Sequence, residues 1–222
     1  MKISLSLDSS YSEDVAVVVD VLRASTTITV ATQNFQKIVP VKDIKQAQYL
    51  AKKYGAVLAG ERRGAAIKGF DTGNSPLEIS NFHGNILVIT TSNGTRIMEG
   101  IKANILIGSF VNAKASAKEA LKRANSNIEI VMAGVEGRFA IEDYLGAGEI
   151  ISHLKNHDLD ENALGAYMAS LDEELVNKAV KNSRSARKLG DLGLSDDVDF
   201  CLKRNLYDHV PVYENGSITG IH

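Results

Sequence analysis

The sequence predicts an α/β protein, built as a three-layer α/β/α sandwich around a mixed, mainly parallel sheet. Short apolar runs alternate along the chain with amphipathic stretches, as expected when helices join the strands of a sheet that is covered on both faces. The 222 residues, 44% hydrophobic and 23% charged, suffice for one large domain with a buried core. A weak internal repeat adds to the pattern, because strand, helix and strand recur in the same order about 70 residues later.

Six short runs rich in β-branched residues predict the strands of this sheet. They are almost continuously apolar, which indicates that both faces of each strand are buried. The final segment, HVPVYENGSITGIH, predicts an edge strand and a hairpin that turns at Asn215 and Gly216. The six runs are residues 15–21, 37–41, 56–59, 86–90, 105–109 and 128–134.

Amphipathic stretches between these runs predict helices. The stretch DIKQAQYLAKKYG carries Asp43 as a predicted N-cap and Gly55 as a predicted C-cap. A second helix, NAKASAKEALKRAN, begins at Asn112, which is also a predicted N-cap. Residues 141–208 place apolar side chains three and four positions apart, which indicates a helical tail.

The repeat predicts one α/β domain over residues 1–222, with pseudo-repeat halves at 15–78 and 86–148 and the helical tail at 141–208. Each copy ends in a loop that contains Ala-Gly, a glutamate and an arginine. We interpret the two copies as a duplicated βαβαβ-like unit. Two chance stretches of α/β pattern remain the alternative, because few side chains match between the copies.

Composition and charge exclude several classes of function. A formal net charge of −2, without a block of Lys or Arg, argues against a nucleic-acid-binding surface. The opening MKISLSLDSSYSED is too polar for a signal peptide, and no apolar run approaches the roughly 20 residues that span a bilayer. The single cysteine, Cys201, excludes an internal disulfide and is predicted to be a packed helix residue. We therefore expect a cytoplasmic protein.

The first of four polar loops at predicted strand ends reads DVLRASTT. The strand delivers Asp20 and then Arg23, and Ser25 and Thr26 open a helix whose N-terminus can attract an anion. Asp20 is a candidate nucleophile or metal ligand, and Arg23 a candidate anion clamp. The alternative is an aspartate that only caps the helix. A haloacid dehalogenase phosphatase is excluded, because that superfamily needs a second acid where this chain has Leu22.

The second loop, GERRGAAIKGFDTGNSPLE, combines acids, arginines and glycines. Glu61 and Asp71 offer oxygen ligands for a hard cation, whereas Arg62 and Arg63 offer forked donors for phosphate or sulfonate. The turn GFDTGNSP can present backbone N–H groups to an anion. A surface loop of mutual salt bridges is the alternative. The candidate substrate-binding residues of this loop are Arg62, Asn74 and Ser75.

The third loop, TTSNGTR, also follows a strand and opens a helix, which suggests a second phosphate cradle. It lacks the Gly-Lys-Ser/Thr of a Walker A loop. The Asn-Gly pair alone would fit a hairpin turn, but the helix-like RIMEGIKA after it disfavours a hairpin. The candidate residues are Ser92, Asn93, Gly94, Thr95 and Arg96.

The fourth loop, GVEGRFAIEDYLGAG, contributes Arg138 as a candidate anion ligand. Glu142 and Asp143 are adjacent acids at a helix start, where such residues often only complement the helix dipole. The five histidines of the chain are scattered and show no metal-ligand spacing.

We expect the four loops to meet at one edge of the sheet, where arginines would bind a highly anionic substrate and carboxylates a divalent cation. This combination predicts phosphoryl chemistry. The predicted catalytic residues are Asp20, Glu61, Asp71 and Asp143, and the predicted metal ligands are Asp20, Glu61, Glu142 and Asp143. The predicted substrate-binding residues are Arg23, Ser25, Thr26, Arg62, Asn74, Ser75, Ser92, Asn93, Gly94, Thr95, Arg96 and Arg138.

The blocks DVLRASTT, GERRG…GFDTGNSP, TTSNGTR and GRFAIED together resemble the signature blocks of the 2-phosphosulfolactate phosphatase family, in the family's order. The resemblance covers roughly residues 15–148 and implies an Mg²⁺-dependent acid phosphatase that converts 2-phospho-3-sulfolactate to 3-sulfolactate and phosphate, a step toward coenzyme M. Its substrate carries phosphate, sulfonate and carboxylate, which suits the arginine set. Cysteines often flank the family's last block, whereas this chain has Met132 and Gly146 there, which argues against an essential thiol.

Two other functions remain open from the sequence. One is a phosphatase for another small organophosphate acid, which would use the same acids and arginines. The other is a binding module for a phosphorylated or sulfonated metabolite, which would have no need of interleaved acids. The sequence does not decide whether Asp20 attacks phosphorus or holds the metal, nor which arginine binds which anionic group. A homodimer is expected.

Overall fold

The computed structural model describes residues 1–91, 97–98 and 100–221. Its strands are β1 Lys2–Leu7, β2 Val15–Val19, β3 Phe35–Pro40, β4 Val57–Arg62, β5 Ala65–Ala66, β6 Gly84–Thr90, β7 Asn104–Gly108, β8 Asn127–Met132, β9 Asp158–Leu159, β10 Val210–Glu214 and β11 Ser217–Ile221. Its helices are α1 Ala24–Ala31, α2 Ile44–Tyr54, α3 Pro76–Ile79, α4 Ala113–Arg123, α5 Ile141–Ser152, α6 Glu161–Ala169, α7 Glu173–Lys181, α8 Arg184–Asp191 and α9 Ser195–Cys201.

The predicted α/β class and its mixed, mostly parallel sheet are confirmed. The strands form one sheet in the order β5-β4-β6-β3-β11-β10-β7-β2-β8-β1-β9. All six predicted strands are present, within a few residues of the predicted bounds. The sequence missed β1, whose KISLSL alternates polar and apolar residues; it pairs in parallel with β8.

The sheet consists of two parallel groups that run in opposite directions. One group is β4-β6-β3 and the other is β7-β2-β8-β1, and the antiparallel hairpin β10–β11 joins them. The prediction that this hairpin lies at an edge is wrong, because β11 pairs with β3 and β10 pairs with β7 in the middle of the sheet. Its turn at Asn215 and Gly216, both with positive φ, is confirmed.

Each group contains a crossover with the same topology. In the first, α2 connects β3 to β4, with β6 between the two strands; in the second, α4 connects β7 to β8, with β2 between them. The crossover helices include the two that the sequence predicted. Whether the likeness reflects a duplication stays a prediction.

Helix α1 lies between the two groups of strands, and all eight of its residues are buried. One hydrophobic cluster contains apolar side chains of α1 together with Val18 and Ile107 from one group and Ile38 and Ile89 from the other. Helices α4 and α5 pack on the outer face of the second group, and α2 on the outer face of the first. The sheet therefore curls around α1. A sheet twists by about 20–25° from one strand to the next. Over the six steps from β4 to β2, this twist offsets the opposite directions of the two groups of strands.

The predicted helix ends agree with the structure, with one difference. The Asp43 side chain accepts the Gln46 N–H at the start of α2, and Gly55 ends that helix in the left-handed conformation at φ 58°. Asn112 does precede α4, but its side chain accepts the Ser109 N–H instead of capping the helix. In the described part of the chain, no helix is long and apolar enough to cross a membrane.

Cys201 is a packed helix residue, as predicted. It lies on α9 and is fully buried, and this burial raises the pKa of its thiol to about 12. A thiol with so high a pKa has almost no nucleophilic thiolate at neutral pH. Chemistry at Cys201 is therefore not expected.

Candidate active site

The turn between β2 and α1 positions Asp20, and its hydroxyl side chains serve the turn itself. The Asp20 N–H donates to Ser25 Oγ at 2.9 Å, and the Thr26 hydroxyl donates to the Val21 carbonyl at 3.1 Å. The Asp20 carbonyl accepts the Ser25 N–H at 2.9 Å. Ser25 and Thr26 were predicted to bind substrate. In the structure both residues are buried, and the hydrogen bonds given above hold the loop in place.

The turn after β4 positions Glu61. Its Oε2 accepts the Gly64 N–H at 2.6 Å, across a turn in which Arg63 and Gly64 both have positive φ. The Arg62 guanidinium points elsewhere: it donates to the carbonyls of Glu61 and Lys42, each at 2.7 Å. Arg62 was predicted to clamp an anion, but these bonds tie it to the backbone at the end of β4.

Asp197 of α9 connects the two turns to the helical tail. Arg23 Nη1 lies 2.7 Å from Asp197 Oδ2, and the Ser75 hydroxyl donates to Asp197 Oδ1 at 2.6 Å. Arg23 Nη2 donates to the Gly64 carbonyl at 2.6 Å. Arg23 is 4% exposed and Asp197 2% exposed, so the ion pair is buried and strongly constrains both partners.

A cavity of about 100 Å³ lies where these segments meet. It brings together predicted residues from separate loops, since Asp20, Arg23, Glu61 and Asn74 all line it. The loops come from both groups of strands, so they converge through the curl of the sheet around α1 and not along one straight sheet edge. The other polar residues that line it are Arg63, Thr91, Glu136, Ser185 and Lys188.

Four buried carboxylates, those of Asp20, Glu61, Glu142 and Asp143, dominate the electrostatics at this place. Burial, with repulsion from Glu61 and Glu142, raises the pKa of Asp20 to about 7. Burial, with repulsion from Asp20 and Glu142, raises the pKa of Asp143 well above its usual value. Such a cluster costs free energy when it is ionised, unless a positive charge compensates it.

Asp143 has a fixed orientation within this cluster. Its Oδ1 accepts the Val21 N–H at 2.8 Å, and its Oδ2 accepts the Gly134 N–H at 2.9 Å. It therefore bridges the loops that follow β2 and β8. Its neighbour Glu142 lines a second cavity that shares Ser185 and Lys188 with the first.

The structure does not bring every predicted residue to the cavity. Asp71 was predicted to be catalytic, but its carboxylate accepts the Leu58 N–H at 2.8 Å near the start of β4, and it does not line the cavity. Arg138 is exposed in a tight turn that pairs it with Val135. The predicted residues Ser92, Asn93, Gly94, Thr95 and Arg96 lie outside the described residues.

The donors at the cavity are chemically suited to a hard cation. Asp20 and Glu61 supply carboxylate oxygens, and Asn74 Oδ1 is buried without a hydrogen-bond partner in the described part of the chain. Among the residues that the structure describes, no three acidic, histidine or cysteine side chains form a group that could hold a metal ion, so the predicted set of four ligands, Asp20, Glu61, Glu142 and Asp143, is not brought together; only Asp20 and Glu61 of the four line the cavity. Two carboxylates are as many as Mg²⁺ usually takes from a protein, and water and substrate oxygens complete its shell.

Sequence reasoning missed the contribution of the helical tail. Asp197, Ser185 and Lys188 belong to α8 and α9, about 50 residues beyond the last signature block. Asp197 follows another aspartate in the first turn of its helix, so the sequence gives no sign that it is buried. Only the packing of the tail against the strand-end loops reveals these residues.

An α/β sheet whose strand ends carry clustered buried carboxylates beside cationic side chains defines an enzyme site for a small anionic molecule. Comparison with known proteins makes the class specific. Residues 3–216 match the family model of 2-phosphosulpholactate phosphatase, so the chain belongs to this family of phosphoric monoester hydrolases.

Named relatives cover almost the whole chain. It is 47% identical to the 2-phosphosulfolactate phosphatase of Methanothermobacter thermautotrophicus, over 98% of this chain and 95% of the relative. It is 38% identical to a probable 2-phosphosulfolactate phosphatase of Clostridium acetobutylicum, over 98% of this chain and all of the relative. A protein of the same probable function from Thermotoga petrophila is 41% identical, over 90% of this chain and 89% of the relative.

Proposed function

We propose that this protein is an Mg²⁺-dependent phosphatase of the cytoplasm that hydrolyses 2-phospho-3-sulfolactate to 3-sulfolactate and phosphate, on the route to coenzyme M. The observation that carries the proposal is the set of buried carboxylates around a cavity that Arg23 and Lys188 also line. The name of the relative from Methanothermobacter thermautotrophicus supports the substrate.

Asp20 and Glu61 are the residues that would hold Mg²⁺, with Asn74 Oδ1 as a further oxygen donor. Glu142 and Asp143 complete the acidic set, and the N–H groups of Val21 and Gly134 fix the orientation of the Asp143 carboxylate. A bound Mg²⁺ would neutralise the carboxylates and polarise a phosphoryl oxygen. Without the ion, the raised pKa lets Asp20 hold a proton on its carboxylate near neutral pH.

Arg23 is the proposed phosphate ligand. Its bonds to Asp197 and to the Gly64 carbonyl use two of the five guanidinium N–H donors. The same bonds fix the orientation of the group, so little side-chain entropy is lost when a phosphate binds. Asp20, Arg23 and Asn74 are all buried, so their side of the cavity is shielded from bulk water.

A second candidate is a phosphatase for another small organophosphate acid. The observation that favours it is the position of Arg62 and Arg138, which do not line the cavity. The number of arginines available to a substrate with three anionic groups is thus smaller than the sequence suggested.

Phosphate release from a panel of substrates, with Mg²⁺ and with a chelator, tests the proposal. The panel contains 2-phospho-3-sulfolactate, phospholactate and an unrelated sugar phosphate. We expect release that requires Mg²⁺ and is fastest with 2-phospho-3-sulfolactate. Equal rates on the first two substrates would favour the second candidate, and full activity in the chelator would contradict the metal site. Binding without any release would identify a non-catalytic binder.

A further inference from the structure

We propose that Lys188 of the helical tail binds the sulfonate of the substrate and so determines which phosphate ester is preferred. Lys188 is one of the cationic side chains that line the cavity, and it stands on α8, across from the strand-end loops that carry Asp20 and Glu61. The inference rests on the function proposed above.

Local packing fixes α8 in place. The Ser183 hydroxyl caps the helix by accepting the Ala186 N–H at 3.1 Å. The buried side chain of Leu189 lies against Gly64, where a Cβ atom would lie 3.7 Å from Leu189 Cδ2. With Leu189 in that position, Ser185 and Lys188, three residues apart on one helix face, both line the cavity.

Of the cationic side chains at the cavity, Lys188 is the one that we expect to meet the sulfonate. The positive charge of Arg23 is paired with Asp197 in a buried ion pair, and Arg63 already has an interaction of its own. Lys188 makes no hydrogen bond or ion pair with any residue in the described part of the chain, although it is next to the acidic cavity. Its ammonium group is therefore available to an incoming anion.

The position of Lys188 suits the sulfonate of the substrate, the anionic group that does not react, better than the phosphate. The phosphate of the substrate must lie near the oxygen donors Asp20 and Glu61, on the strand-end side. Lys188 belongs to the tail side and also borders the second cavity, away from those two acids. A lysine carries one compact charge with three donors, which matches a sulfonate of single charge.

The test compares Lys188→Ala with Arg187→Ala, using the full chain with Mg²⁺. Arg187 is the neighbouring exposed cation on the same helix, and it lines neither cavity. For each variant, kcat/KM is measured for 2-phospho-3-sulfolactate and for phospholactate, which lacks the sulfonate. We expect Lys188→Ala to reduce the preference for the sulfonated substrate by about 10–100-fold, mainly through KM, and Arg187→Ala to leave that preference unchanged.

Three other results of this comparison would each contradict either the role of Lys188 or the proposed function. Equal losses on both substrates in Lys188→Ala would place Lys188 at the phosphate and overturn the proposal. If Arg187→Ala lowers the preference for the sulfonated substrate as well, the effect comes from the overall positive charge of the helix and not from a contact with Lys188. That result would also overturn the proposal. If the unmodified protein releases phosphate from neither substrate, the proposed function fails. Lys188→Arg restores most of the preference if the charge is what matters, and thermal unfolding of each variant checks the fold.

Discussion

At the scale of single residues, the site depends on buried carboxylates whose ionised form is unfavourable unless a cation is bound. Asp20 is 8% exposed, and Glu61 and Glu142 are the acids that raise its pKa. Retaining several buried acids makes sense only where a cation or a proton compensates them. The arrangement supports the catalytic role that we propose for Asp20 over that of a simple helix cap.

Asp20→Asn is expected to lower kcat by at least about 100-fold, because the substitution removes the charge that would hold the metal or meet the phosphoryl group. Asp43→Asn is the matched control: it makes the same chemical change at an exposed N-cap, where asparagine is equally good. Phosphate release at saturating Mg²⁺ measures both variants. Near-normal turnover by Asp20→Asn would remove Asp20 from the catalytic residues.

At the scale of elements, the helical tail is part of the site and not an appendage. Helix α9 supplies Asp197 to Arg23 and Ser75, while α8 supplies Leu189 to the Gly64 turn. Together with the bonds from Arg23 to the Gly64 carbonyl and from Thr27 to the Asn74 carbonyl, these contacts fix the strand-end loops to one another. Correct placement of the tail should therefore affect both stability and catalysis.

Asp197→Asn should destabilise the fold by about 3–5 kcal/mol, because it leaves the buried Arg23 charge uncompensated. For a chain of this size, that change corresponds to a fall in Tm of roughly 6–20 °C. Asp196→Asn, the exposed neighbour on the same helix, is the control and should change Tm little. Scanning calorimetry of both variants decides the matter, and equal Tm values would show that the ion pair contributes nothing measurable.

At the scale of the whole molecule, the curl of the sheet around α1 explains how loops from two opposed groups of strands share one cavity. Burial and neighbouring carboxylates raise the pKa of Asp20 and of Asp143, so the folded state has a higher affinity for protons than the unfolded chain. Stability, pH and the binding of a cation are therefore linked through the same carboxylates.

Without Mg²⁺, the protein should lose stability as the pH rises through about 7. The pKa of Asp20 is raised from 3.8 in the unfolded chain to about 7, so its stabilising contribution is full below 3.8 and is lost above about 7. Mg²⁺ binds the ionised acids and should restore about 2.7 kcal/mol at a hundred times its Kd, or roughly 5–10 °C in Tm. Thermal unfolding at about pH 6 and about pH 8, with and without Mg²⁺, measures the effect.

Asp20→Asn serves as the control for this linkage, because it cannot ionise and should reduce the pH dependence to the part that Asp143 contributes. If the Tm of the unmodified protein changes neither with pH nor with Mg²⁺, the linkage is contradicted.

The sequence predicted the fold class and the main strands well, because apolar runs and helix caps are local signals. It also identified Asp20, Arg23, Glu61 and Asn74, which line the cavity. It misjudged side chains whose direction depends on tertiary contacts. Arg62, for example, follows Glu61 along β4, so the two side chains point to opposite faces.

The tail residues could not be predicted for a related reason. Lys188 sits on a short helix with many polar residues, and such a pattern usually indicates a solvated surface. Asp197 gives no local sign of a partner 174 residues away. Contacts of that kind depend on how the sheet curls, which strand periodicity does not reveal.

The central position of the β10–β11 hairpin has a consequence for biosynthesis. Among the described strands, these two leave the ribosome last, yet they alone connect the two groups of the sheet through hydrogen bonds. Until they emerge, β3 and β7 each present an unpaired edge, the kind of surface that recruits strands from other chains. A chain in which β3 and β7 have formed but β10 and β11 have not must therefore protect two open edges, and the enclosure of α1 is complete only when this hairpin is in place.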